Sequence, residues 1–505
     1  MALLGRLMAR IRDTATGLPD QDFLDEAAHI DNTRCGLYQT FQAYYDGDHA
    51  VALTDRARTY LQASGLQFAE NFCEPVVDAF AERLRVTGFT VEDKDAPAPA
   101  AGAEEERPEA EGWLAELWET SAGDLLQTDV HTVTLIKGDS FVIPDWEPDT
   151  GTVCLSWNQP GMINVRRDPG QPDSVAWASK RWVTDEAGPS NLRGVDIVRL
   201  NVYWPDTIWK LFRLHRDDGH GGWQPWVDAD GLWEFPWLDA TGRPLGVPVH
   251  HFRHKPLGDL YGRSELRSVI PQQDALNKQV VDLHDVLDYL AWPQRWIVSQ
   301  SDSINVKVQP GDYLTIADME AKLGQFAPAD PAGVLAAIDQ TLSRIARRSR
   351  KPLHLLAGGD MPSGEALKSA EAGLVSKALS AQVGFGQTWE QLMVMCLRLA
   401  AANGDQVAAS AANMTGLTVR TQWDDPVSRN EKDEADTMAV YLTLGVSKRT
   451  ILQRLGFDPE QEMEQRAVES EAALDTVASM MDRGGFADAG SADRGSASAG
   501  TADPS

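Results

Sequence analysis

At 505 residues the chain can bury a large core, in two to four domains or one elongated multi-part subunit, and its composition, 43% hydrophobic and 24% charged, is ordinary for a soluble protein. The charge is not ordinary: 75 acidic against 46 basic residues leave −29, which argues against tight wrapping of nucleic acid and favours a self-repelling surface. Four cysteines, at 35, 73, 154 and 396, have no short spacing, so neither a disulfide framework nor a zinc site is expected.

The first residues, Met1 to Arg12, are mildly amphipathic without the apolar run of a signal peptide, and no later stretch reads as a membrane span. Residues 20 to 88 read as helical, broken by Tyr44-Tyr45-Asp46-Gly47-Asp48-His49, whose Asp and Gly supply turn chemistry. Phe72, Val76, Val77, Phe80 and Leu84 keep helical spacing, with Gly88 as the expected C-cap. Glu92 to Gly112, rich in Ala, Pro and Glu, reads as a solvated, flexible insertion. Trp113 to Thr132 is helical again. Thr132–Ile136 and Ser140–Ile143 then flank Lys137-Gly138-Asp139 as an expected hairpin, followed by strands at 152–157, 163–165, 175–183, 197–204 and 208–215. Many of the 16 tryptophans fall in this β region, among them Trp204, Trp209, Trp223, Trp226, Trp233 and Trp237. An aromatic sheet can bind sugars or stacked bases, but aromatics are also favoured strand residues, and packing is the simpler reading.

From Gly262 the pattern changes. Leu276, Val280, Leu283, Leu287 and Leu290 recur at steps of four and three up to Ala291, a narrow seam suited to a neighbouring helix, which Trp292-Pro293 ends. An excursion from Arg295 to Phe326 contains two expected strands, Trp296–Val298 and Asp312–Ile316. A second seam helix, Pro331 to Arg350, carries Leu335, Ile338, Leu342 and Ile345, and a basic end at Arg344, Arg347, Arg348, Arg350 and Lys351 that suits the helix dipole. After a loop holding Gly358-Gly359, Ser363 opens one long helix with apolar or small residues from 367 to 399; roughly 40 residues of helix span about 60 Å. Gly384-Phe385-Gly386 inside it predicts a kink or close packing of another helix. Leu417 to Trp423 reads as a strand, Ser428 onward as acidic helix broken at Leu444–Ser447 and Gly456–Pro459, and residues 484–505 as a disordered tail.

A P-loop, a zinc-protease helix and a nucleophile elbow are all lacking, which lowers the odds of an ATPase, a metalloprotease or an esterase without excluding an enzyme built from scattered residues; no enzyme is the expectation. His250, His251 and His254, with Glu265, make the most metal-like cluster, yet strand alternation sends adjacent histidines to opposite faces; no metal and no cofactor is expected. Asp228, Asp230 and Glu234 are too closely spaced for a calcium loop, and Asp217–Gly222 reads as a turn. Asp274, Asp282, Asp285 and Asp288 lie between the apolar positions of the first seam helix, a solvated face unless that helix lines a channel.

In order along the chain stand Tyr44–His49, Lys137-Gly138-Asp139-Ser140-Phe141, Tyr261-Gly262-Arg263-Ser264-Glu265-Leu266 running on to Asp274-Ala275-Leu276-Asn277-Lys278, Ala291–Trp296 and Pro362–Leu367. In these segments, and in their order and spacing, the chain resembles the portal proteins of tailed bacteriophages, those of siphophages in particular. The resemblance implies an α+β portal fold: a wing at 1–261, a stem helix at 262–291, a clip at 292–330, a second stem helix at 331–350, a tunnel loop at 351–363, a core helix and return strand at 364–427, and a crown at 428–483. It further implies a homo-oligomeric ring, usually of twelve, at one vertex of the virion capsid and assembled in the bacterial cytoplasm. Double-stranded DNA passes through it. Terminase, a head–tail adaptor and the major capsid and scaffolding proteins are its partners, and no membrane is involved. By that analogy Arg347, Arg348, Arg350, Lys351 and His354, with Asp285 and Asp288, face the channel, and Leu276, Val280, Leu283, Leu287, Leu335, Ile338 and Leu342 pack between subunits. The alternatives are another head-completion or capsid component, or a tryptophan-rich carbohydrate-active enzyme.

Overall fold

The computed structural model describes residues 18–29, 31–49, 70–94, 109–168, 170–184, 197–214, 222–227, 231–291, 295–298, 320–327, 330–353, 364–414, 416–427, 438–447 and 451. The chain divides into two units, 1–427 and 428–505. In the first, helices α1 (Gln21–Ala27), α2 (Asn32–Asp46) and α3 (Cys73–Ala81) precede β1 (Val86–Asp93), α4 (Glu109–Thr120) and α5 (Gly123–Lys137). Asp20 and Asp31 cap α1 and α2 by accepting backbone N–H groups, and Gly47, with φ +84°, ends α2 in the left-handed conformation that a glycine adopts without cost.

Two sequence expectations fail here for one reason. Gly88 does not cap a helix. The helix ends at Ala81, and Gly88 lies within β1, opposite Gln422. Nor do Lys137-Gly138-Asp139 turn a hairpin: α5 runs through Lys137, and Gly138, at φ +95°, is its C-cap. The threonines at 132 and 134 suggested a strand, but Leu126, Val130 and Thr134 are buried at helical spacing, and the Thr134 hydroxyl is satisfied by the Val130 carbonyl. Tertiary packing overrides local propensity at both places. The insertion expected at 92–112 is also narrower at both ends, since Glu92 and Asp93 belong to β1 and Glu109 opens α4; residues 95–108 lie outside the described residues.

The sheets follow. Strands β2 (Asp139–Glu147), β3 (Thr152–Asn158) and β10 (His250–Arg253) form a sheet in the order β10-β2-β3. A second sheet runs β4 (Ile163–Asp168), β5 (Gln171–Thr184), β6 (Ile197–Tyr203), β7 (Thr207–Leu214), β8 (Gln224–Pro225), with β9 (Glu234–Pro236) also paired to β7. Its tryptophans are core residues: Trp204, Trp209 and Trp223 are buried with Leu24, Ala27 and Trp177 in a cluster of their own under α1. The Arg199 guanidinium covers the ring of Trp226 at 3.5 Å. The packing reading of the tryptophans thus prevails over the ligand-binding one.

Then come α6 (Ile270–Ala291), reached through a short 3-10 turn at Glu265–Ser268, β11 (Arg295–Val298) paired with β12 (Lys322–Gln325), and α7 (Ala332–Ser349). The strand expected at 312–316 and the turn at 217–222, apart from Gly222, lie outside the described residues, as do Asp228, Asp230, the break at Gly456–Pro459, and the first and last residues of the chain. The 39-residue α8 (Gly364–Ala402) crosses the first unit, burying Leu374, Ala378, Phe385, Trp389, Leu392, Cys396 and Leu399. It is followed by α9 (Gln406–Ala412) and β13 (Leu417–Trp423), which returns to pair with β1. Gly386 accommodates that return: a Cβ there would sit 3.2 Å from Trp423 Nε1, and the Thr421 hydroxyl donates to the Gly386 carbonyl. Its close neighbour is therefore a strand. Gly384 faces open space. In the second unit, residues 438–443 are helical and Gly445, at φ +84°, ends the turn.

Candidate functional site

Three of the segments that carried the family resemblance, Tyr44–His49, Lys137–Phe141 and Tyr261–Lys278, far apart in sequence, meet at the start of α6. Three polar networks fasten that root. In the first, Asp139 is buried at the start of β2. It accepts from Tyr38 Oη at 2.7 Å, His251 Nε2 at 2.8 Å and the Gly262 N–H at 2.7 Å, with Arg34 Nη1 at 3.4 Å. Burial works against its charge, but these donors hold the carboxyl below its usual range. Burial keeps His251 neutral, so its Nε2–H is a donor. Gly262 comes so close that a Cβ would overlap the Gly138 carbonyl, which also accepts the His254 N–H.

The second network joins the first break to α6. Tyr44 Oη donates to Asp274 at 2.5 Å, and Asn277 Nδ2 donates to His49 Nδ1, whose Nε2–H is given to the Tyr44 carbonyl. Gln273 accepts the Phe72 N–H and donates to the Glu70 carbonyl. Asp274 is thus a structural acceptor.

The third gathers cations around Glu265. Lys377 of α8 donates to Glu265 and to the Ser349 carbonyl at the end of α7, Lys255 approaches the other carboxyl oxygen at 3.2 Å, and His254 Nε2 lies 3.8 Å away. Burial opposes the Glu265 charge, yet the cations of Lys377 and Lys255 hold its carboxyl below the ordinary value. Lys377 thus ties α8 to the turn before α6 through the buried carboxylate and to the end of α7 through the Ser349 carbonyl, and removing either member of the ion pair would strand the other charge.

Of the expected channel residues, Arg347, Arg348 and Arg350 are exposed at the end of α7, with Arg350 in a left-handed turn at φ 56°. Asp285 is exposed on α6. Asp288 belongs to the same helix, but its side chain, like all of His354, lies outside the described residues. Lys351 corrects the expectation. It is only 4% exposed, its Nζ has no hydrogen-bond partner, and it lies 5.2 Å from the centre of the Phe80 ring that Lys377 also approaches. Burial, with Lys377 nearby, lowers its pKa to about 7. A folded pKa below the unfolded value of about 10.4 means that the protein gains stability as pH rises from 7 to 10. Lys351→Met is expected to raise stability at pH 7 by about 2 kcal/mol and to remove that alkaline gain, as denaturant unfolding at pH 7 and 10 would show.

The apolar seams divide between two roles. Leu276 is buried in the chain's own core, so it is withdrawn as a contact between subunits; Ile338 and Leu342 are half-buried against that core. Val280 and Leu283 are half-buried. Leu287, Leu290 and Leu335, towards β11 and β12, are exposed at 41%, 42% and 47%, as are Trp296, Val298 and Phe326 on and beside those strands. The histidines separate as strand alternation requires: His251 binds Asp139, His254 Nδ1 donates to the Arg263 carbonyl, and among the described residues no three His, Cys, Asp or Glu side chains gather as a metal set. What residue reading missed is Asp139 as an anchor. Its signal was the approach of two glycines, Gly138 and Gly262, which no spacing rule connects.

Residues 24–475 match the family described as phage portal protein, SPP1 Gp6-like. The chain belongs to that family. It is 25% identical to the portal protein of Mycobacterium phage D29 over 427 residues, covering 79% of this chain and 78% of that protein. The portal protein of Mycobacterium phage L5 is 26% identical over 387 residues, 71% of this chain and 69% of its own length. The reading as a tailed-phage portal protein is borne out, and neither a different head component nor a carbohydrate-active enzyme is favoured. Portal proteins are structural, and among the described residues no helix is long and apolar enough to cross a membrane.

Proposed function

We propose that the chain assembles into a closed ring, with twelve copies as the expected number, at one capsid vertex, and that double-stranded DNA enters and leaves through its channel. The observation carrying this reading is the apolar run Leu287, Leu290, Leu335, Trp296, Val298 and Phe326. A single chain leaves it in water, and a neighbouring copy's helix pair would cover it. The wing is assigned to 1–261, the stem to 262–291 and 331–350, the clip to 292–330, the tunnel loop to 351–363 and the crown to 428–483. Within the stem, Val280, Leu283 and Leu287 of one copy face Leu335, Ile338 and Leu342 of the next. Arg347, Arg348 and Arg350, with His354 in the loop, contact phosphate transiently, while Asp285 and Asp288 keep the wall from holding it; the charge of −29 supports passage over retention. Terminase, a head–tail adaptor, and capsid and scaffolding proteins dock on the outside of the ring. The role is mechanical, without catalysis.

Native mass spectrometry of the purified chain tests this: one closed assembly with a narrow subunit number is expected. The double substitution Leu287→Asp and Leu335→Asp is expected to shift that population to monomers and small oligomers, with unchanged circular dichroism. A wild-type chain that stays monomeric or dimeric at every salt concentration would overturn the ring.

A further inference from the structure

The outer face of α8 is inverted. From 369 to 391, about 33 Å of helix, every exposed residue is uncharged. The charged residues of that stretch are engaged elsewhere: Glu371 is buried and pairs with Arg83 at 3.1 Å, Lys377 is buried against Glu265 and the Ser349 carbonyl, and half-buried Glu390 accepts the Thr421 N–H. Leu379 and Val383, one turn apart, are by contrast 51% and 65% exposed. A helix that faces water carries its charges outward and its apolar side chains inward.

Ala372, Ser376, Ser380 and Gly384 follow at steps of four along the same face, and a Cβ built at Gly384 meets nothing within 4 Å. Such a row makes a shallow groove beside the ridge of Leu379 and Val383, the relief into which another apolar ridge packs. The strip begins beside the end of α7, since a Cβ at Gly373 would stand 3.6 Å from the Arg350 carbonyl oxygen. It is thus next to the helix whose seam faces another copy in the ring proposed above.

Charge selects the occupant. The chain carries −29, so two copies repel wherever their acidic surfaces meet, and a face without charge is where they approach at least electrostatic cost. A basic partner would gain nothing from such a face. The chain's own continuation after Val427 does not suit it: of residues 428–437, Arg429, Glu431, Lys432, Asp433, Glu434 and Asp436 are charged, and laying them on the strip would bury those charges. We propose that the uncharged face of α8 seats a neighbouring copy of this chain, as a second zone of copy–copy contact apart from the stem. The inference rests on the ring reading, and its test separates the two.

The test uses full-length Ser380→Cys, alkylated with N-ethylmaleimide and mapped by mass spectrometry so that the native cysteines are read separately. The introduced thiol is expected to react at least about tenfold more slowly in rings than in the monomeric fraction of the same variant carrying Leu287→Asp and Leu335→Asp. Ser380→Glu is expected to leave circular dichroism unchanged, because Ser380 is exposed in the single chain. It is expected to raise the concentration at which half of the chains are in rings at least about a hundredfold, since each contact then buries an unpaired charge, whereas Ser380→Ala leaves that concentration unchanged. Rings whose thiol reacts as fast as in the monomer, or a Ser380→Glu chain that assembles like the wild type, would overturn this contact and leave the ring standing. Slow alkylation in the monomer as well would mean that residues of the same copy cover the strip, and overturns the proposal too. A wild-type chain that forms no ring overturns both.

Discussion

Asp139→Ala is expected to cost about 3–5 kcal/mol of unfolding free energy, the range for breaking a buried charged network by removing one partner. The carboxylate is the common acceptor for Tyr38, His251 and the Gly262 N–H, so its loss leaves three buried donors without an acceptor and the cation of Arg34 without its nearest anion. Asp139→Asn separates geometry from charge. Its amide oxygen replaces only one carboxylate oxygen, and its NH2 faces other donors, so it is expected to recover part of the loss. Urea unfolding of the three proteins decides the matter. A cost in Asp139→Ala below about 1 kcal/mol would mean that water replaces the carboxylate and that the root does not depend on it.

Acid is expected to begin destabilising the chain below about pH 6.5, well before its carboxylates protonate. Burial lowers the pKa of His131 and His250 to about 3 and that of His254 to about 4, the last despite nearby Glu265. Each is therefore neutral in the folded state and binds a proton on unfolding once the pH falls below about 6.5, so stability is lost progressively from there down to the folded pKa. Each such histidine contributes a slope of about 1.4 kcal/mol per pH unit. For His131 the hydrogen bonds show why: Nδ1–H is given to the Leu84 carbonyl at 2.8 Å, and Nε2 accepts from Trp389 Nε1 at 2.9 Å. A second ring proton would face the indole N–H. Asp139 and Glu265, whose folded pKa values are lowered, add stability that is present above the unfolded carboxylate range and lost only under stronger acid. Unfolding free energies at pH 7, 6 and 5 measure the slope, and His131→Gln is expected to flatten it. A wild-type protein equally stable at pH 7 and 5 would contradict the neutral assignment.

Local pattern carried far in this chain where one element sets its own periodicity. The steps of four and three in α6 and α7 marked both helices, the spacing of Leu374, Phe385, Trp389 and Leu392 marked the long helix, and β-branched runs marked strands β4 to β7. Pattern failed where distant segments decide. Lys351 ends a basic run that reads as a solvated helix end, whereas in the fold it is buried and its ammonium lies near the Phe80 ring, from elsewhere in the chain. Asp139 reads as turn chemistry beside glycine, whereas its role comes from Tyr38, His251 and Gly262. Even the seams were legible only as apolar: whether Leu276 or Leu287 meets the chain's own core depends on how far each stands from the three networks at the root.

The pairing of β1 with β13 joins residues such as Val91 and Val419, almost the whole length of the first unit apart. Synthesis at roughly 5–20 residues per second leaves β1 without its partner for tens of seconds, its edge open to other strands. Closure of the first unit therefore waits until β13 has been made and has left the ribosome. No copy presents a complete first unit to another before that point, so the pace of translation sets the earliest moment at which copies can combine.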